Sequence, residues 1–267
     1  MLYLVATPIG NLQDVTLRAI ETLKMCDYIA CEDTRTSQTF LQHYDIKARL
    51  VSYHKFNESS KCDSIVADLK AGKNIAIISD AGMPGISDPG AVIVRRLIAE
   101  GLPYTVVPGA CALVDSFVLS GFEAPFTFVG FLPEKGKDRK DLLGKLKVSS
   151  FPSIFYVSPH SINQFFDDVY EAFGDRKVCV TRELTKKFEE VTFTTLHAGY
   201  TGAVKGEFVI IVSGEEAQTQ VSQDDEIMSE LKYLLDAGVT SKDACKKVAD
   251  KLGLKKNYVY DLLIRNK

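Results

Sequence analysis

The stretch Asn74–Gly90 reads NIAIISDAGMPGISDPG. Its first part, Asn74–Ile78, is an apolar run with no polar alternation. That pattern predicts a strand covered by helices on both faces, as in a parallel sheet. The remainder, Ser79–Gly90, holds three glycines and two prolines in twelve residues. Gly82, Gly85 and Gly90 allow positive φ and close approach of backbone to a ligand. Pro84 and Pro89 stiffen the loop. Open parallel sheets bind ligands at loops that leave the carboxyl ends of their strands. Asp80, the first carboxylate after the strand, is therefore expected to face a crevice. Asp88 reads as an N-cap for the helix that follows.

Working outward, short β-branched runs alternate with helical patterns. Strands are expected at Leu2–Ala6, Tyr28–Cys31, Leu50–Tyr53 and Tyr104–Val107. Between them lie expected helices: one running to Met25 from an Asp14 cap, then Thr34–Tyr44, Glu58–Lys70 and Ala91–Glu100. Gly72 and Gly101 supply helix stops. Three turns rich in Gly, Pro or both, at 7–11, 79–90 and 108–111, each follow a strand, so they are expected to meet at one crevice. None is GxGxxG, and GxxxxGK[ST] is absent, which sets aside the standard dinucleotide and nucleoside-triphosphate readings.

From about Glu123 the pattern changes to strands at Phe126–Phe131, Ser153–Val157, Lys177–Thr181, Val191–Thr195 and Glu207–Val212, with a helix at Ser161–Phe173. This is an α+β arrangement. Residues 213–223 are polar and read as a linker. Three helices follow, Asp224–Asp236, Thr240–Leu252 and Lys255–Ile264, with a Gly253 turn before the last, in a helix-turn-helix outline. The expected domains are an N-terminal α/β domain at 1–121, a second α/β domain at 122–214 and a small helical domain at 222–267.

Composition narrows the function. The chain has 267 residues, 46% apolar and 25% charged, as in ordinary soluble globular proteins. No apolar run approaches the roughly 20 residues of a membrane span. The apolar start at Leu2–Ala6 is short and lacks the basic lead of a signal peptide. Six cysteines without a CxxC pair read as reduced thiols of a cytoplasmic protein, and with four scattered histidines no metal site is expected. Residues 240–267 hold eight Lys/Arg against three acids, 8 − 3 = +5, so the net −3 leaves −8 for the rest. Residues 133–147 hold six Lys/Arg against three acids. Basic segments on an acidic body suit nucleic-acid phosphates, although a solvated helical face gives the same pattern.

Two further segments carry reactive side chains. In CEDTR, residues 31–35, Glu32 or Asp33 either caps the next helix or reaches the crevice with Arg35. In YHKFNE, residues 53–58, His54 is either a proton acceptor or merely exposed.

Taken together, TPIGN, CEDTR, YHKFNE, SDAGMPGISDPG, PGACA, GFLP, RELTKKFEE and KGEFVIIVSG, in that order, resemble the tetrapyrrole methylases, which use S-adenosylmethionine. The likeness is closest to their branch that 2′-O-methylates a decoding-centre cytidine of 16S rRNA in the small ribosomal subunit. The resemblance implies two α/β domains, a cofactor in the cleft between them, and a homodimer. Carried over by motif, it implies cofactor contacts from Pro8, Gly10, Asp80, Ala81, Gly82, Ser87, Gly109, Ala110, Tyr156, Val157, Glu183, Leu184 and Gly206. The chain departs from the family at YVSPHS, 156–161, where YESPHR is usual, and at Pro108-Gly109-Ala110, where PGP is common. A ribose hydroxyl must lose its proton during methylation, and Glu32, Asp33 or His54 is the expected acceptor, with Arg35 or Lys186 stabilising the alkoxide. The rival readings are a methyltransferase of the same fold acting on a tetrapyrrole or other small molecule, and a non-catalytic RNA-binding protein.

Overall fold

A computed structural model of the chain describes residues 1–215 and 223–265. Met1–Glu215 form one compact unit and Glu216–Lys267 a second.

The first unit carries two five-stranded sheets. The first consists of β1 (Leu2–Val5), β2 (Tyr28–Cys31), β3 (Leu50–Ser52), β4 (Ile75–Ile78) and β5 (Tyr104–Val107), in the order β3-β2-β4-β1-β5. All its pairings are parallel. β4 is central and fully buried, which is why its sequence shows no alternation. Ile75 and Ile77 pack with Ile65 and Leu69 of α3 (Glu58–Lys70) and with Ile93 and Leu97 of α4 (Ala91–Glu100). Ala76 and Ile78 face the other way, toward Ala19 and Leu23 of α1 (Leu17–Met25) and Leu41 of α2 (Thr34–His43). The helices thus cover both faces, as the apolar run requires.

Three local details differ from expectation. Thr16, not Asp14, caps α1, its hydroxyl accepting from the Ala19 N–H at 3.1 Å; Asp14 ends a preceding 3-10 turn. Gly90, not Asp88, is the N-cap of α4, and no side chain caps that helix. The helix after Pro108-Gly109, α5 (Ala112–Ser120), begins only at Ala112, with Cys111 as N-cap.

The second sheet has the order β6-β7-β10-β8-β9, from β6 (Thr127–Phe131), β7 (Ser153–Val157), β8 (Lys177–Arg182), β9 (Glu190–Thr195) and β10 (Phe208–Val212). β6 and β7 are parallel and the other pairs antiparallel. Phe155, Val157, Phe208 and Ile210 pack against α6 (Lys137–Lys147) and α7 (Ile162–Phe173). Ile154, Val209 and Ile211 face Leu113 of α5. The expected boundary at 121/122 follows α5, yet α5 packs on the second sheet. There the Ser116 and Thr181 hydroxyls pair at 2.7 Å in full burial. This helix seats the two sheets together within the unit.

In the second unit, α8 (Gln223–Asp236), α9 (Ser241–Leu252) and α10 (Lys256–Arg265) share a core of Ile227, Leu231, Cys245, Val248, Val259 and Leu263. Thr240 caps α9, and Gly253 ends it in the left-handed conformation. Most of the expected linker, residues 216–222, lies outside the described residues. No helix among the described residues is long and apolar enough to cross a membrane.

Candidate active site

Two of the breaker-rich turns are tied together directly. The Thr7 N–H donates to the Gly82 carbonyl at 2.9 Å, and the Gly82 N–H returns to the Thr7 carbonyl at 3.1 Å. Gly82 holds φ +78, and a Cβ there would lie 3.1 Å from Ile9, so the bridge needs glycine. Gly10 is required for a different reason. A Cβ on it would fall 2.4 Å from Lys186 Cγ and 2.9 Å from the Leu184 carbonyl, because the first turn lies flat on the loop after β8. The Ala110 carbonyl of the third turn lies 3.6 Å from the Gly82 Cβ position. The three turns therefore meet, and the loop after β8 joins them.

Beside them lies a cavity of about 400 Å³. One wall is Ile9, the 80–83 segment and 86–88; the opposite wall is Tyr156–Pro159, Phe131 and Gly206–Val209. Of the residues expected to hold a cofactor, Asp80, Ala81, Gly82, Ser87, Tyr156, Val157 and Gly206 line it. Pro8, Gly10, Gly109, Ala110, Glu183 and Leu184 do not. Pro8 lines a neighbouring cavity, and Gly109 abuts Ala6. Glu183 accepts from the Glu207 N–H at 3.1 Å and from Lys186 Nζ at 2.8 Å. Lys186 also reaches Glu207 at 2.9 Å, so it fastens the rim rather than entering the cavity. Sequence reading missed Asp88, Cys111 and Phe131 as lining residues, whereas Glu207, beside the expected contact Gly206, does line the cavity. With Gly90 as the cap, the Asp88 carboxylate turns inward, where burial first, then Glu32 and Asp80, push its pKa up to about 6. All six cysteines are free thiols, and Cys111 alone is only half-buried.

A second cavity, about 520 Å³, opens on the other side of Asp80, lined by Glu32, Asp33, Thr34, Ser52, His54, Lys55 and Phe56. Asp80 belongs to both walls. It is held there by the Asp33 N–H, which donates to Asp80 Oδ1 at 3.1 Å. Here the sequence candidates separate. Asp33 is the N-cap of α2, accepts from the Arg35 N–H at 2.8 Å, and pairs with the Arg35 guanidinium at 2.8 Å. The Arg35 hydrogen bonds lower its pKa to about 2, which makes it a poor proton acceptor. Glu32 is half-buried; burial first, then Asp80, raise its pKa, while His54 opposes the shift. The Asn57 amide orients His54: its oxygen accepts the His54 backbone N–H at 2.8 Å, and its nitrogen donates to Ser52 O at 3.3 Å and lies 3.2 Å from His54 Nε2. That network fixes the ring, whose Nδ1 is buried with no hydrogen-bond partner among the described residues. The same Asn57 precedes α3. Phe56, on the cavity rim, is 95% exposed.

The family model described as "Tetrapyrrole (Corrin/Porphyrin) Methylases" matches residues 1–198. A protein of Halalkalibacterium halodurans named ribosomal RNA small subunit methyltransferase I is 42% identical, over 98% of this chain and 93% of its own length. The chain belongs to the family of ribosomal RNA small subunit methyltransferase I, within the tetrapyrrole methylases. The relative of the same name in Bacillus subtilis is also 42% identical, over 98% of this chain and 93% of its length. The methyltransferase CobJ shares the fold, with TM-score 0.60 at 16% identity over 80% of this chain and 94% of that one. So does uroporphyrin-III-C-methyltransferase from Thermus thermophilus, at TM-score 0.56 and 16% identity, covering 79% and 93%. Tetrapyrrole methylases use S-adenosylmethionine. The first cavity fits it in size, in its apolar walls for a nucleoside, and in carboxylates for a cation.

Proposed function

We propose that this methyltransferase transfers a methyl group to a ribose 2′-hydroxyl of 16S rRNA, at a decoding-centre cytidine. The observation that carries the reading is that, of the three cavities meeting at Asp80, one suits the cofactor and one an acceptor. The relatives' name supplies the substrate class. The structural neighbours that act on tetrapyrroles support the fold alone, at 16% identity.

When bound, S-adenosylmethionine supplies an electrophilic methyl on a sulfonium sulfur. Ser87, Tyr156, Val157 and Gly206 would hold it in the first cavity, with Ile86 and Phe131 completing the apolar wall. Asp80 keeps the partition between the cavities rigid through its bond to the Asp33 N–H. In the second cavity Glu32 accepts the ribose hydroxyl proton, because of the two acidic candidates it alone has a raised pKa, while Asp33 is held down by Arg35. Phe56 offers a face on which the acceptor base stacks. Much of the rate would then come from these residues orienting the hydroxyl toward the cofactor.

RNA phosphates are met by the basic 133–147 and 240–267 segments. Truncation after Val221 is expected to weaken binding to a 16S fragment and to flatten the dependence of log K on log salt. Cofactor affinity should stay unchanged, because the residues lining the first cavity all lie within Met1–Glu215. An unaltered salt slope would remove the tail from the RNA site. The enzyme acts as a homodimer. Val114 and Val118 on one face of α5 and Val106 on edge strand β5 are exposed apolar side chains suited to a second copy, Val118 at 72% exposure. Val118→Glu is expected to convert a sedimenting dimer to monomer; a persistent dimer would exclude this face.

A further inference from the structure

The walls of the first cavity carry three carboxylates, Asp80, Asp88 and Glu207, and no Lys, Arg or His among the described residues. Glu207 is neutralised by Lys186 at 2.9 Å. Asp80 accepts from the Asp33 backbone N–H at 3.1 Å, and the Ser79 hydroxyl beside Asp88 eases its carboxylate only slightly. Among the described residues neither is paired with a basic side chain, and Glu32 just after β2 adds to the negative potential around them. Charges so arranged cost free energy when both are ionised and the cavity holds nothing positive. A cationic occupant removes that cost; a neutral one does not.

We infer that Asp88, seconded by Asp80, makes this cavity discriminate the sulfonium form of the nucleoside from the thioether that remains after transfer. The two ligands share the adenosine and the amino-acid end, so contacts there do not tell them apart. They differ by one methyl and one positive charge. When the methyl leaves, the sulfur keeps the S–C bonding pair and becomes neutral, the acceptor oxygen gains the methyl, and its proton passes to a base. The charge that satisfied Asp88 is then gone, and the product is released from a site that again disfavours its own carboxylates. This inference goes beyond the RNA assignment and depends only on the sulfonium cofactor.

The groups facing Asp88 are Glu32 from β2, Asp80 and Ser79 from the end of β4, Cys111 at the start of α5 and Tyr156 from β7. None is a base that becomes cationic. Burial with two neighbouring carboxylates places the Asp88 titration at about 6. Preference for the sulfonium should therefore be full above pH 7 and fade as pH falls through about 6.

Titration calorimetry of the full chain with S-adenosylmethionine and with S-adenosylhomocysteine tests this. In the Asp88→Asn variant the ratio of the two affinities is expected to fall about tenfold toward the thioether, with thioether affinity changed less than about threefold. Equal weakening of both ligands would make Asp88 a contact to the shared amino group and overturn the inference. No change in either would overturn it too. If Asp88→Asn does not fold, wild-type protein decides in two buffers of different ionisation enthalpy at pH 6. Proton release on sulfonium binding that exceeds release on thioether binding supports the inference, and equal release refutes it.

Discussion

Replacing Glu32 by glutamine is expected to slow single-turnover methyl transfer by about 10²–10⁴-fold while changing cofactor affinity far less. The substitution keeps the shape of the side chain and removes only its capacity to take a proton. Glu32 sits at the end of β2 in the second cavity, and its raised pKa makes it a stronger base than an exposed glutamate. The wild-type rate should climb as pH rises through that raised value, because the deprotonated form is the active one. The acid limb should vanish in Glu32→Gln. Asp33→Asn and His54→Ala should cost less. Asp33 is already committed to Arg35 and the α2 cap, and His54 Nε2 is already engaged by Asn57. A Glu32→Gln loss below about tenfold would dismiss Glu32 as the proton acceptor.

Phe155→Ala carries the largest expected effect on stability. Phe155 is 0% exposed in β7, pairs with Ile210 and Gly130 on its two neighbours, and meets the Phe165 ring of α7 edge-on at 5.1 Å. Truncation removes the ring from the middle of the core under α6 and α7, and a phenylalanine cavity of that kind costs roughly 3–5 kcal/mol. The adjacent Tyr156 and Val157 line the cofactor cavity, so β7 couples this core to the site. Chemical denaturation should show the loss as a lower midpoint, and thermal melting as a drop on the order of 10 °C. A change under about 1 kcal/mol would mean that α7 collapses onto the vacancy.

The first sheet was legible because its signals are local. The NIAII run could only be a strand buried on both faces, and the helices over 58–70 and 91–100 appeared at their observed limits since apolar spacing and the Gly72 and Gly101 stops agreed. Caps were less legible. Asp14 and Thr16 both suit an N-cap, and only the 3-10 turn before α1 decides between them. Asp88 failed for a related reason. The ordinary role of an aspartate three residues before a helix concealed a tertiary one, which depends on a glycine at φ +142 taking the cap. The packing of α5 on the second sheet was invisible in sequence. It rests on the buried Ser116–Thr181 pair, 65 residues apart. Phe131 was passed over because β6 reaches the cavity only once the sheets are seated together.

The most direct measurement is transfer of labelled methyl from S-adenosylmethionine into small ribosomal subunits that lack the modification, followed by mass spectrometry of nuclease fragments. One label per 16S rRNA, on the ribose of a decoding-centre cytidine and lost in Glu32→Gln, is the expected result. Label on a base, label on a small-molecule tetrapyrrole instead, or no transfer by protein that binds the cofactor would contradict it.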